Sequence, residues 1–343
     1  MQNEIDKKIT IRMVAEAAGV SPATAYNVLS GKRQLSTPAG RKVLECAEAL
    51  GFSKGTNKKF KNVIHFVLYK KHGKIVMDTP FFTTLMQGIE KTCRANKFAL
   101  SMSYIDCVNN KDSEVLIRKI VEDSETPLLL LATEMQVEDL KVFTRRKGPM
   151  VVLDNLCTRF PFNSVVIDNF MAGFMAGNHF IDRGHTDMGI ITPSLYFHNA
   201  LNRESGFSLA LRVNSLQLEE KNIFRVIPTM EEAAAELTAI FRAKKGVLPS
   251  ALFAINDLLA FAAYQALQEV GCKIPDDVSL IGVDNLPFGT VLTPRLTTID
   301  VSKEQLGSRA VERLIELTKN TDSLSIKQTF GVSLIERESV RKL

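Results

Sequence analysis

The stretch from Ile9 to Gly51, ITIRMVAEAAGVSPATAYNVLSGKRQLSTPAGRKVLECAEALG, constrains this chain most. It holds signals for three short helices and for where each starts and stops. Thr10 is placed to cap the first helix, and Val14, Ala15 and Ala18 share one of its faces. Gly19 ends it, because glycine turns the chain there at little steric cost. Ser21 caps the second helix, with Pro22 at its first position, where a missing N–H costs nothing. Thr37-Pro38 repeats that start for the third, and Val43, Leu44, Ala47 and Leu50 are expected to close a small core. Helix, tight glycine turn and second helix at this length form the pattern of a DNA-binding helix-turn-helix. An ordinary helical hairpin is the plainer alternative.

The second helix has two faces. Ala25, Val28 and Leu29 make an apolar stripe for packing on the first helix. Pro22, Ala23, Tyr26 and Asn27 are left facing outward. A recognition helix presents its first turns to base edges in the major groove. There an Asn suits adenine, an Ala suits a thymine methyl, and a Tyr reaches a base edge or a phosphate. Lys32 and Arg33 follow the helix, placed for phosphates. The residues expected at DNA are therefore Thr10, Ser21, Pro22, Ala23, Thr24, Tyr26, Asn27, Lys32 and Arg33, with Lys54, Lys58 and Lys59 beyond the third helix.

Charge supports this placement. Residues 1–62 carry eleven Lys/Arg against five acids, a net +6, while the whole chain is +5, so residues 63–343 sum to −1. The excess positive charge coincides with the helical head, as a phosphate-binding surface requires; a solvated basic face without a partner is the other reading. Five scattered cysteines lack metal-ligand spacing and fit a reduced compartment. No apolar run reaches the length of about 18 residues needed for a membrane span, and the start MQNEIDKK lacks a secretory apolar segment. The expected location is the cytoplasm.

From Val63 the pattern changes to short apolar strands alternating with amphipathic helices. Strands are expected at 63–68, 99–105, 128–132, 150–154, 165–169, 188–192, 251–256 and 278–284, with helices between, for example at 82–95, 171–183, 202–212, 231–243, 257–270 and 303–318. Alternation of this kind gives parallel sheets covered by helices. So many units exceed one simple sheet, and two Rossmann-like lobes with a cleft between them fit better. Ligands of such folds bind beyond the carboxyl ends of the strands. Phe81 and Phe82 could stack on a ring, although adjacent helix positions imply that one of the two is core. Arg203 and Asp284 could fork onto ligand hydroxyls. Asp257 is either a further ligand contact or a helix cap, and Asn256 has the same capping role open to it. Asp154 ends a strand and could reach the cleft. His185, after Gly184 at a helix end, reads as structural.

The run T-I-x-x-V-A-x-x-A-G-V-S-x-x-T, ending in V-L-S-G, resembles the N-terminus of the lactose-repressor (LacI/GalR) family of bacterial transcription regulators. The downstream blocks D-T-P-F-F (78–82), R-E-S-G-F (203–207), A-I-N-D (254–257) and I-P-D-D-V-S-L-I-G-V-D-N (274–285) resemble that family's ligand-sensing body, itself similar to periplasmic sugar-binding proteins. The resemblance implies a helix-turn-helix domain at 1–51, a shortened hinge linker at 52–62 and a two-lobed effector-binding and dimerisation domain at 63–343. It implies a homodimeric repressor on near-palindromic double-stranded operator DNA, controlled by a small effector, a sugar or sugar phosphate, with no cofactor, metal or membrane. The resemblance supports Arg203 and Asp284 as effector contacts; with Phe81, Phe82 and Asp257 from their chemistry, and Asn199, which with His198 is placed to shape the pocket near Phe197, they are the expected effector-site residues. Two departures stand out. Where the family usually carries Val-Ser-Arg, this chain has Ala25-Tyr26-Asn27, so the family's operator does not transfer. Where some purine-sensing relatives carry Arg, this chain has Phe197. The linker is short and lacks the usual Leu wedge; Phe60 is either a substitute wedge or a seal onto the body.

Enzyme readings find little support. The chain lacks G-x-G-x-x-G after a strand, G-x-x-x-x-G-K-[ST], H-E-x-x-H and G-x-S-x-G. No catalytic residue is expected. A solute-binding protein with a vestigial head, or an enzyme on the same α/β body, are the competing classes.

Overall fold

The computed structural model describes residues 10–29, 37–50, 60–75, 80–109, 112–244, 247–320 and 324–343. Contacts divide the chain into two compact units, one before Phe60 and one from Phe60 onward.

The first unit contains α1 (Ile11–Ala18), α2 (Pro22–Leu29) and α3 (Pro38–Ala49). Each helix start is capped by the residue the sequence offers. Thr10 Oγ1 accepts from Met13 N at 3.4 Å, Ser21 Oγ from Thr24 N at 3.1 Å, and Thr37 Oγ1 from Gly40 N at 3.1 Å. Gly19 lies at φ +67°, the left-handed conformation that ends α1. Val14, Ala15, Ala18, Ala25, Val28, Leu29, Val43 and Ala47 form the core. Leu44 and Leu50, expected in that core, are exposed instead. Leu44 follows buried Val43 and is turned about 100° round the helix from it, and Leu50 lies past the last turn of α3.

The second unit is two lobes. The first begins with β1 (Val63–Lys70), α4 (Pro80–Ala95), β2 (Ala99–Asp106), α5 (Ser113–Glu122), β3 (Leu128–Leu131), α6 (Val137–Lys141), β4 (Met150–Leu153) and β5 (Asn163–Ile167). The chain then crosses into the second lobe. That lobe holds α7 (Asn169–Asp182), β6 (Met188–Pro193), α8 (His198–Val213), β7 (Ile223–Val226), α9 (Met230–Ala243), β8 (Ala251–Ala254), α10 (Asp257–Glu269), β9 (Ser279–Val283) and β10 (Thr297–Val301). It returns to the first lobe for α11 (Lys303–Lys319) and β11 (Lys327–Phe330), then crosses once more for β12 (Val332–Ile335). The sheet orders are β2-β1-β3-β4-β5-β11 and β7-β6-β8-β9-β10-β12. Neighbours run parallel except β12, which is antiparallel to β10.

The central strands are nearly unbroken apolar runs because both sheet faces are covered. In the first sheet, alternate residues serve different cores. Ile64, Phe66, Leu68, Leu129 and Leu131 join a core with Leu85 and Ile89 of α4 and Leu306 and Leu314 of α11. Val67, Tyr69, Leu128 and Leu130 face a second core with Ile120 of α5 and Leu140 of α6. Four strands lie outside the sequence expectation: β7, β10, β11 and β12. Each is short and carries polar residues, as in KQTF of β11 and TTIDV of β10, so hydropathy alone does not mark them.

Helices α7 and α8 approach almost backbone to backbone. A Cβ on Gly173 would lie 1.9 Å from Arg203 O, and one on Gly206 would lie 1.9 Å from Phe170 O. This contact seats the start of α7 beside Arg203 on α8. Alanine at Gly173 forces the helices apart, so Gly173→Ala is expected to destabilise the protein by at least about 1–3 kcal/mol, the range for overpacking. The check is a urea unfolding curve; an unchanged midpoint would contradict this packing.

Candidate functional site

On the head, the outward side of α2 carries Pro22, Ala23 and Tyr26, all exposed, with Thr24 and Asn27 half-buried at its margins. Ala25, Val28 and Leu29 are turned to the core, as expected. The Ser21 and Thr24 hydroxyls lie 2.9 Å apart, within hydrogen-bonding distance, and Thr10 is exposed with its hydroxyl at the α1 cap. Arg12, Arg41 and Lys42 are further exposed cations on α1 and α3 that the motif reading passed over. Lys32, Arg33, Lys54, Lys58 and Lys59, together with most of the linker, fall outside the described residues.

In the body, both sheets point the carboxyl ends of their parallel strands at the same cleft. From the first lobe come Ile75 after β1, Phe81 and Phe82 at the start of α4, Thr133 after β3 and Asp154 after β4. From the second come Phe197, Asn199 and Arg203 before and within α8, Pro228 after β7, Asn256 and Leu258 after β8, and Asp284 and Leu286 after β9. The cavity they enclose is about 50 Å³. That admits a few water molecules, well short of the several hundred Å³ of an open small-molecule pocket.

Five of the six expected effector contacts line this cavity: Phe81, Phe82, Asn199, Arg203 and Asp284. Both phenylalanines do so, against the expectation that adjacent positions could not both face the cleft; Phe81 is at the same time buried in the core, as expected of one of the two. Their rings meet edge to face with centroids 5.0 Å apart. They sit in the first turn of α4, where the helix end itself abuts the cleft, so neighbouring positions both reach it. Asp257 does not line the cavity. It is fully buried, accepting from Leu286 N at 2.7 Å and Thr298 Oγ1 at 2.7 Å. Its role is to hold the loop that carries Asp284. Gly282 leaves it room, since a Cβ there would lie 2.2 Å from Asp257 Oδ1. Asn256 caps α10 through Leu259 N at 2.9 Å and also faces the cavity. His185 is buried between Ser250 Oγ at 2.9 Å and Arg341 O at 3.2 Å. Burial lowers its pKa, so it is a structural histidine rather than a helix-end cation.

The electrostatics are unusual. Arg203 is buried; its Nε donates to Asn169 Oδ1 at 2.8 Å and its Nη1 to Ile255 O at 2.6 Å. Its Nη2 lies 3.7 Å from Asp284 Oδ1, an oxygen that is buried and has no hydrogen-bond partner. Asp154 accepts from Thr133 Oγ1 at 2.7 Å on its own lobe and from Asn199 Nδ2 at 2.9 Å on the other. Burial pushes Asp154 up to about 6 and Asp257 up to about 8. Burial also raises Asp284, against the opposing pull of Arg203 and Lys303. Asp154 at φ +61° and Asp284 at φ +112° hold strained backbone conformations, the kind that collects at ligand sites. Thr133, Ile75, Pro228, Leu258 and Leu286 carried no sequence signal as site residues, being ordinary loop and helix-end positions.

Comparisons with known proteins match this arrangement. The family described as "periplasmic binding protein-like domain" matches residues 178–340. The HTH-type transcriptional repressor PurR of Histophilus somni (strain 129Pt) is 30% identical over 355 residues, covering 97% of this chain and 99% of that one. The PurR repressor of Photorhabdus laumondii is 29% identical, covering 96% of each. Among solved structures, the regulator CelR in complex with cellobiose aligns with a TM-score of 0.73 at 21% identity, over 96% of this chain and 99% of that one. A LacI family regulator of Enterococcus faecalis V583 with bound ribose aligns at 0.69 and 26%, over 82% of this chain and 99% of that one. The lac repressor dimer bound to operator aligns at 0.69 and 20%, over 98% and 100%. With a relative at this identity along nearly its entire length, the chain belongs to the LacI family of helix-turn-helix transcription regulators.

Proposed function

We propose that this regulator represses transcription as a homodimer on a near-palindromic operator, and that an uncharged carbohydrate in the cleft controls it. The observation that carries the effector reading is Asp284 Oδ1, a buried acceptor without a hydrogen-bond partner, on a residue that lines the cavity. A buried polar atom of this kind calls for a donor, and hydroxyl groups supply donors without charge. Phe81, Phe82 and Phe197 give the apolar faces against which a sugar ring packs. A phosphate is disfavoured, because two carboxyls and one guanidinium line the cavity and that guanidinium is engaged by protein acceptors. Phe197 also removes the Arg that resemblance associates with purine sensing. A relative supports the class: a solved LacI family regulator 26% identical to this chain holds ribose.

The small cavity implies that the lobes part to admit the ligand and close on it, and a ligand that prefers one arrangement shifts the population. A dimer is supported by exposed apolar residues: Met102 and Tyr104 on edge strand β2, and Phe288 and Val291 in the second lobe. An isologous dimer presents two heads to two half-sites. Among the described residues no helix is long and apolar enough to cross a membrane; an operator-binding role is consistent with work in the cytoplasm.

The reading is tested by titrating purified protein against its own upstream DNA at several salt concentrations, then repeating with panels of sugars and nucleobases. Tight, strongly salt-dependent binding shifted by one sugar supports it. Binding equal to that of random DNA with every compound refutes it. Within that assay, Tyr26→Ala is expected to weaken operator binding about 5- to 100-fold, the cost of one lost base contact, and to leave non-specific binding nearly unchanged. Equal losses on both DNAs would place Tyr26 on the phosphates.

Asp154 sets a pH dependence. Its proton is released at about 6, and ligand hydroxyls donate to the ionised form, so acid opposes binding. Effector affinity is therefore expected to fall as the pH drops through about 6, in addition to any change set by the other raised carboxyls, Asp257 and Asp284. Calorimetric titration at pH 5.0 and 7.5 reads the difference, and Asp154→Asn should flatten it. An affinity that rises toward acid would contradict the assignment.

A further inference from the structure

The segment 71–75, between β1 and the start of α4, is held in a way that the cleft lining alone does not require. Glu134 is buried, and its carboxylate accepts four backbone N–H groups from this segment. Lys71, His72 and Gly73 donate to Oε2 at 2.8, 3.0 and 3.0 Å, and Ile75 donates to Oε1 at 3.0 Å. Successive N–H groups converging on one anion make a rigid nest, and here the anion is the protein's own side chain. Lys71 Nζ adds a second anchor, reaching Asp139 Oδ2 at 2.7 Å and Gln136 Oε1 at 3.1 Å on the same lobe. The segment is thereby fixed to the first lobe at both ends.

From that fixed base, two residues reach outward. Ile75 lines the effector cavity. Lys74 Nζ crosses to the second lobe and meets both oxygens of Glu232, at 3.0 and 2.9 Å. Glu232 is itself oriented, since Thr229 Oγ1 donates to it at 2.8 Å at the start of α9. Pro228, immediately before that cap, lines the opposite wall of the cavity. An exposed ion pair usually contributes little because both side chains must be ordered to form it. Here the backbone behind Lys74 and the carboxylate facing it are already held.

We propose that residues 71–75 are a strap across the effector cleft, with Glu134 as its positioning residue and Lys74–Glu232 as its fastening. The strap sets how far the lobes stand closed before any ligand arrives, and through that the affinity of the site. This consequence rests on the cleft being the effector site. The strap itself does not, so its test uses neither effector nor DNA.

The experiment is a pulsed electron paramagnetic resonance distance measurement on the full chain. Spin labels go on Val115→Cys of α5 and Val213→Cys of α8, both exposed, in a background whose native cysteines are alanine. Lys74→Glu and Glu232→Lys should each broaden the inter-lobe distance toward longer values, lowering the closed population by up to about fivefold. The charge-swapped double variant should restore the parent distribution, which a merely structural role for either residue would not do. Glu134→Gln should open the lobes as well, with circular dichroism confirming the fold. Single variants that keep the parent distribution, a swap that fails to restore it, or a closed Glu134→Gln protein would each overturn the proposal.

Discussion

The body is organised around titratable groups that have been taken out of water near the line where its two lobes meet. Arg203, Asp154, Asp257 and Asp284 are all buried there. Ionised groups in such surroundings are costly unless they are paired and hydrogen-bonded. Three of the four are satisfied: Arg203 by Asn169 and Ile255, Asp154 by Thr133 and Asn199, Asp257 by Leu286 and Thr298. Asp284 alone keeps an oxygen without a hydrogen bond, and it does so on a strained backbone facing the cavity. The remaining deficit is one that a ligand bearing hydroxyls would complete.

The fold supplies this arrangement through topology. Parallel strands put all their carboxyl ends on one edge of a sheet, and the chain builds two such sheets whose edges face each other. Because the backbone crosses between lobes near Asp168, Ser302 and Gly331, the lobes are hinged rather than independent. Close packing then fixes the chemistry in place: glycine contacts between α7 and α8 set Arg203, and Gly282 makes space for the carboxyl that braces Asp284. Asp154 bonded to Asn199, Lys74 bonded to Glu232, and Lys303 donating to Asp284 O are polar contacts between the two halves.

Much of this was legible in the sequence where the controlling physics is local. Helix caps at Thr10, Ser21 and Thr37, the glycine stop at Gly19 and the inward stripe of α2 depend on a few neighbouring residues, and each was readable. Continuous apolar runs such as LLLL and MVVL identified buried parallel strands. Side-chain chemistry and family likeness picked out Arg203 and Asp284, the aromatic pair opening α4 picked out Phe81 and Phe82, and nearness to Phe197 picked out Asn199; all five line the cavity. What failed depended on distant partners. The strands β7 and β10 to β12 are polar enough to be defined by what they pair with. Asp257, read as either a ligand contact or a helix cap, instead turns its side chain toward Thr298, forty-one residues away. Glu134 carried one faint signal, an acid set directly after LLLLAT, but its nest lies some sixty residues earlier in the chain and only the fold brings the two together.

The central claim is that a ligand held by Asp284 and Arg203 governs the DNA-binding head. The most direct test is operator affinity with and without a saturating sugar, found by thermal-shift screening of the wild-type protein, compared with the Asp284→Asn variant. The account predicts that both proteins bind operator alike in the absence of sugar, and that the sugar changes affinity only in the wild type. A sugar response preserved in Asp284→Asn would contradict it, and would place the controlling site elsewhere on the body.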